Sequence, residues 1–262
     1  MPPGVTMVKR RLAAGKLAGG TRLLLALATS TGVRRSWSLR LSRPGNLFQP
    51  HNDTEANRYP EVFVALRDWI GEGDDDIRLL SFGCSTGEEV FSLRRYFPSA
   101  YIKGVDISRA NIADCKRRQR RLQDARLDFV RASSTQAEAS RLYDAILCMA
   151  VFRHGDLGTQ HPESCAHRIT FEAFEVTVTD LARCLKPRGY LVVEHSNFRF
   201  SDTAVAAQFE CVARRSCTTT DCQRTPLFGP NNRLLETPTC IEIAFRKQAE
   251  KGKTPAINAT SK

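Results

Sequence analysis

Residues 77–91, IRLLSFGCSTGEEVF, put an apolar run, a glycine-rich turn and an acidic helix start in immediate succession. That order suits a nucleotide-type ligand: a strand end, glycines that let backbone approach, then amides at a helix N-terminus. An acid follows in YIKGVDIS, where Asp106 stands 23 residues after Gly83. This is near the roughly 20-residue spacing of a ribose-binding acid in such a unit. A carboxylate there can accept both hydroxyls of a ribose. The turn is neither GxGxxG nor a P-loop with its GK[ST]. A dinucleotide or nucleoside triphosphate therefore fits less well than a smaller adenosine-bearing ligand such as S-adenosyl-L-methionine.

The elements that must position these residues alternate along the chain. Helical spacing of Val62, Phe63, Leu66, Trp69 and Ile70 predicts a helix with Pro60 near its start. Strands are expected at 77–82, 101–105, 127–130, 143–149, 190–193, 209–213 and 240–245. Helices are expected at 88–96, from Ser108 as N-cap, at 171–185 ending in the KPRG turn (186–189), and at 202–208. YDAILCM (143–149) is a continuous apolar run of the kind buried on both faces. Alternating strands and helices imply a mostly parallel sheet covered on both sides. Ligands then bind outside the carboxyl ends of the strands. There the turn at Gly83–Gly87, Asp106–Ser108, Ser133–Ser134, Met149–His154 and Glu194–Asn197 should converge.

Charge is unevenly spread. The net charge is +11, yet nine of the 39 Lys and Arg and none of the 28 Asp and Glu lie in 1–43, which leaves +2 for the rest. This divides the chain into a basic arm (1–45), a body (46–247) and a polar tail (248–262). The arm is open to three readings: a plain extension, an Arg-rich targeting segment, or weak contact with nucleic acid or anionic membrane. LLLALA (23–28) is far too short to span a bilayer, and no transmembrane segment is expected elsewhere. Nine scattered cysteines without a CxxC argue for a reducing compartment over a disulfide framework. A zinc site at Cys211, Cys217, Cys222 and Cys240 matches no familiar ligand spacing.

With these positions in place, the chain resembles class I S-adenosylmethionine-dependent methyltransferases. More narrowly, it looks like the catalytic domain of the CheR-type chemotaxis-receptor methyltransferases. The likeness covers about residues 50–247 and is carried by GCSTGEE (83–89), LKPRGYLVVEHSN (185–197) and NDTEANRYPEVF (52–63). It implies a Rossmann-like α/β fold with a mostly parallel seven-stranded sheet. It also implies cofactor contacts at Asn52, Thr54, Arg58, Gly83, Cys84, Ser85, Gly87, Glu88, Asp106, Ile107, Ser133, Ser134 and Met149. Arg58 would clamp the methionyl carboxylate, for which a planar fork is suited. Glu88 would meet the ammonium, and Asp106 the ribose. Three departures concern the substrate side: the helical N-terminal domain and the inserted β-subdomain are missing, and the family's CRNVxIYF reads CMAVFRHG here. Receptor glutamate methylation is therefore not expected.

The expected activity is methyl transfer to an oxygen or carboxylate of an unidentified small molecule or protein, in the cytoplasm. His154 and His195, at the ends of the fourth and fifth strands, are the candidate bases. Their competing reading is structural: a loop hydrogen bond for His154, orientation of the loop beneath the cofactor for His195. No metal is expected, although 154–167 is rich in ligand-type residues. KRRQRR (116–121) reads as a solvated helix face, with RNA contact as the sharper alternative. Two rival functions stand beside the main one: an RNA or protein methyltransferase docking through the arm, and a non-catalytic cofactor-binding sensor or scaffold.

Overall fold

The computed structural model describes residues 47–49, 54–71 and 76–249. Asn52, the basic arm up to residue 46 and the tail from residue 250 lie outside the described residues. The elements are α1 (Pro60–Ile70), β1 (Arg78–Phe82), α2 (Glu88–Tyr96), β2 (Tyr101–Asp106), α3 (Arg109–Leu122), β3 (Leu127–Arg131), β4 (Tyr143–Met149), α4 (Leu157–Gln160), α5 (Phe171–Cys184), β5 (Leu185–Glu194), β6 (Phe209–Ser216), α6 (Thr219–Arg224) and β7 (Cys240–Lys247).

The seven strands form one sheet in the order β3-β2-β1-β4-β5-β7-β6. Strands β1 to β5 pair in parallel, and β7 runs antiparallel to both neighbours. Pleating sends successive side chains to opposite faces. Leu80 and Phe82 of β1, with Ile146 and Cys148 of β4, join one core, where Phe174, Val178 and Leu181 of α5 cover the sheet. Leu79, Ala145 and Leu147 join the other, under Val62, Phe63 and Leu66 of α1, Val90 and Leu93 of α2 and Ile112 of α3. Burial on both faces is why these strands read as apolar runs.

Local signals fix several element ends. Pro60 occupies the first turn of α1. The Ser108 hydroxyl caps α3 by accepting from the Asn111 amide at 3.3 Å. Thr170 does the same for α5 through the Ala173 amide. Two expectations fail. The segment 202–208 forms two 3₁₀ turns, Phe200–Asp202 and Ala204–Gln208, because only Phe200, Thr203 and Val205 there are buried. KPRG is not a turn between helix and strand: β5 begins at Leu185, directly after α5. Four residues, Lys186 to Gly189, bulge opposite Asp144 between the Tyr143–Leu185 and Ala145–Tyr190 pairs, with Arg188 at φ 65°.

The amino ends of the strands are clamped by polar side chains. Asp144 accepts the Arg78 amide at 2.8 Å and pairs with Lys186 at 2.8 Å. Glu138 accepts from the Tyr143 hydroxyl at 2.7 Å and pairs with Lys103 at 2.6 Å. Under the carboxyl ends, Phe174 packs on Phe152 and Phe198 with centroids 5.0 and 5.3 Å apart. Removing so buried a ring leaves a void. Phe174→Ala is expected to cost about 3–5 kcal/mol of stability, read as a lowered urea midpoint at unchanged slope.

Candidate functional site

A cavity of about 580 Å³ opens at the carboxyl ends of β1, β2 and β4. Its wall includes Gly83, Cys84 and Ser85 of the turn, Asp106 and Ile107, Ser133, and Met149 to Val151 at the end of β4. Thr54 and Arg58 reach it from the segment before α1. Phe48 closes one side, its ring held edge-on against Phe152 at 5.2 Å.

The turn owes its shape to glycine and to Asp106. Gly83 has φ 81°, and a Cβ there would stand 2.5 Å from Val151 Cγ2. The Gly83 and Cys84 amides donate to the Val105 carbonyl at 2.8 and 2.9 Å, and the Gly87 amide donates to the Cys84 carbonyl. The Ser85 amide donates to Asp106 Oδ2 at 2.9 Å. Four turn amides are thus spent inside the protein. A phosphate cradle needs such amides free, so the turn offers the ligand close approach and not a bed of donors.

Asp106 is buried, and its Oδ1 also accepts from the Ser108 amide at 2.8 Å and Asn111 Nδ2 at 3.2 Å. Burial pushes its carboxyl above the usual range, and the three donors pull it back. A carboxylate has about four lone-pair sites. With three taken, it is placed to accept one further hydroxyl, not the two expected from sequence.

Several expected site residues fall elsewhere. Glu88 is not on the cavity wall: its carboxylate pairs with Arg118 on α3 at 2.7 Å. Glu89 lines the cavity instead. Burial raises its carboxyl to about 7, with the Ser81 hydroxyl acting in the opposite sense. Gly87 also stands off the wall; a Cβ there would meet Phe91, Cys115 and Phe129, so it serves packing. Ser134 is not part of the lining, whereas Ser133 is.

His154 is buried away from the cavity. Its amide donates to Asn197 Oδ1 at 2.8 Å, and its Nδ1 accepts from the Asp156 amide at 3.3 Å. A ring nitrogen engaged in its own loop is poorly placed to take a substrate proton. His195 lines a second cavity of about 330 Å³ beside β5, β6 and β7. It packs against Tyr59 with centroids 5.8 Å apart.

Arg153 falls on the wall within the expected 149–154 segment, while Glu55, Tyr59, Glu89 and Arg224 are among the wall residues that sequence reasoning passed over. Glu89 could have been found from helix phase, since it lies four residues before the fully buried Leu93 on the face toward the sheet. Burial pushes the Tyr59 hydroxyl up to about 12, so it stays a donor. Neither the Tyr59 nor the Ser85 hydroxyl, both sealed from solvent, has a hydrogen-bond partner among the described residues. Nor do three or more His, Cys, Asp or Glu side chains converge on a metal position among them. Among the described residues seven cysteines are free thiols, while Cys217 is disulfide-bonded.

The strand order, the single antiparallel strand and the cavity at the carboxyl ends define a class I methyltransferase fold. The chain belongs to the methyltransferase-domain family, whose profile matches residues 73–250. This is an enzyme family, and its cofactor is S-adenosyl-L-methionine. The match is to the general domain and does not carry the narrower CheR-type likeness. No curated protein sequence matches the chain.

Solved structures of similar fold include the [4+2]-cyclase SpnF (16% identity, 74% of this chain and 81% of that one, TM-score 0.47). The YcgJ protein from Bacillus subtilis shares 10% identity over 72% of this chain and 97% of its own, with TM-score 0.43. Phosphoethanolamine N-methyltransferase 2 of Haemonchus contortus, in complex with S-adenosyl-L-methionine, shares 16% identity over 65% of this chain, with TM-score 0.41. The chain spans only 35% of that enzyme's length.

The cavity suits the cofactor chemically. Arg58, Arg153 and Arg224 face Glu55, Glu89 and Asp106 around it, a balance that fits a ligand carrying an ammonium, a sulfonium and a carboxylate. Gly83→Ala, strained at φ 81° and driven into Val151, is expected to weaken cofactor binding at least about tenfold and lower the melting temperature. Glu89 sets a pH dependence. Its folded pKa lies above its unfolded value, so the cofactor-free fold binds more protons than the unfolded chain between pH 4.5 and about 7. Stability from this group therefore falls as pH rises through that window and is lowest above it. Melting curves at pH 5 and 8 should show the loss in the wild type and its removal in Glu89→Gln.

Proposed function

We propose that the chain transfers a methyl group to an oxygen, in the first place a carboxylate, of an acceptor that enters the same cavity. The observation that carries this reading is the joint wall of Gly83–Ser85, Asp106 and the arginines at the carboxyl end of the sheet. S-adenosyl-L-methionine supplies an electrophilic methyl on a sulfonium. The protein's part is to bind, align and exclude water. Arg58 would hold the methionyl carboxylate, Glu89 the ammonium in place of Glu88, and Asp106 one ribose hydroxyl. Thr54, Ile107, Ser133 and Met149 would border the ligand, and Asn52 keeps its place in the proposal through sequence alone.

A carboxylate nucleophile needs no base, which agrees with His154 and His195 standing off the cavity. Arg153 on the wall is a donor suited to an anionic acceptor. A cytoplasmic location goes with this reading, because the cofactor is made inside cells. No helix among the described residues is long and apolar enough to cross a membrane.

Calorimetric titration with S-adenosyl-L-methionine and S-adenosylhomocysteine tests the cofactor assignment. Arg58→Ala and Asp106→Asn should each weaken binding about tenfold or more, the loss expected of a charge-assisted contact. Wild-type affinity should rise with pH up to about 7 as Glu89 ionises, and Glu89→Gln should flatten the profile. A folded wild type that binds neither ligand sinks the reading. In an acceptor screen by product mass, a base-labile ester supports the carboxylate; an N-methyl product replaces that part of the proposal.

A further inference from the structure

Helix α3 carries its charge in an ordered way. Asn111, Ile112 and Cys115 bury its inner face. At 100° per residue, Arg109, Lys116 and Arg120 fall within about 40° of one another, roughly 110° around the helix from the middle of that buried face. All three are exposed, and Arg117 and Arg121, also exposed, flank them. The stripe runs about 17 Å along the helix axis. Asp114 is the acid on this helix, and it is already paired with Arg117. This is a local concentration, because the chain beyond residue 43 is close to neutral.

The stripe begins beside the cavity wall. Ile107, which lines the cavity, stands two residues before Arg109. Exposed Arg131 donates to the Ile107 carbonyl at 3.3 Å, adding a cation at the same end. Ser133, on the cavity wall, follows it. A line of cations thus leads from the site down one helix.

We infer that the outer face of α3 docks the phosphate backbone of a single-stranded RNA beside the cavity. Protein interfaces draw on an apolar, aromatic-rich centre. Between Arg109 and Arg121 the exposed face offers only Ala110 and Ala113 besides its charged residues. A sugar–phosphate backbone requires only the charge. The row of Arg109, Lys116 and Arg120 is one cation wide, enough for one sugar–phosphate backbone to lie along it. The contact positions a strand without reading its sequence. It stands independently of which atom is methylated.

The test measures binding of a fluorescein-labelled, mixed-sequence 20-nucleotide RNA to the full chain by anisotropy at several salt concentrations. The triple variant Arg109→Gln/Lys116→Gln/Arg120→Gln should bind about tenfold or more weakly at 100 mM salt, with the slope of log affinity against log salt shallower by about 2. Its melting temperature and its affinity for S-adenosylhomocysteine should match the wild type. Arg109→Lys/Arg120→Lys, which keeps the charge, should bind like the wild type. Unchanged RNA affinity in the triple variant overturns the inference and moves any binding elsewhere, as does a wild type that binds no RNA. Displacement of the RNA by polyglutamate or phosphatidylserine vesicles at equal charge overturns it in favour of an acidic protein or a membrane.

Discussion

One carboxylate organises the candidate site. Asp106 is buried at the end of β2, where an isolated charge would be costly. It persists because three donors converge on it: the Ser85 amide from the turn after β1, and the Ser108 amide and Asn111 side chain from the start of α3. The same bonds that offset its burial fix two loops relative to each other. Gly83 then sits against Val151, and the turn presents its edge to the cavity. The ligand surface is a by-product of keeping one charge satisfied.

That arrangement also limits which ligands suit the turn. Its amides are consumed by Val105, Cys84 and Asp106. Charge recognition must come from side chains around the cavity, and these carry both signs. A loop with spare amides would favour phosphates. This one favours a ligand whose charges are separated along its length. The burial-raised Glu89 adds a condition: its charge is inexpensive only when a cation lies beside it.

Much of this was legible in the sequence, for identifiable reasons. Strands buried on both faces must be apolar throughout, so YDAILCM announced itself. The Gly83-to-Asp106 spacing located the turn and its acid. Legibility failed where neighbours compete. Glu88 and Glu89 differ by one helical step, and only the phase set by Leu93 separates them. Arg153 and His154 adjoin in an extended loop, so one reaches the cavity and the other is buried behind it. Lys186-Pro-Arg-Gly has turn composition, yet the sheet absorbs it as a bulge because Asp144 can bind Lys186 there. Tyr59 is no fixed position of the 52–63 segment; only the packing of α1 brings the residue to the wall.

The amino ends of the strands tell a complementary story. There Asp144, Lys186, Glu138, Lys103 and Tyr143 interlock side chains from β2, β4, β5 and the loop before β4, and Asp144 also holds the β1 backbone at Arg78. None of these residues belongs to the cavity wall. The fastening of the sheet and the recognition of ligands thus occupy opposite rims of one molecule. Substitutions that accumulate at the cavity rim leave those polar clamps in place, so the domain can change what it binds without first relearning how to fold.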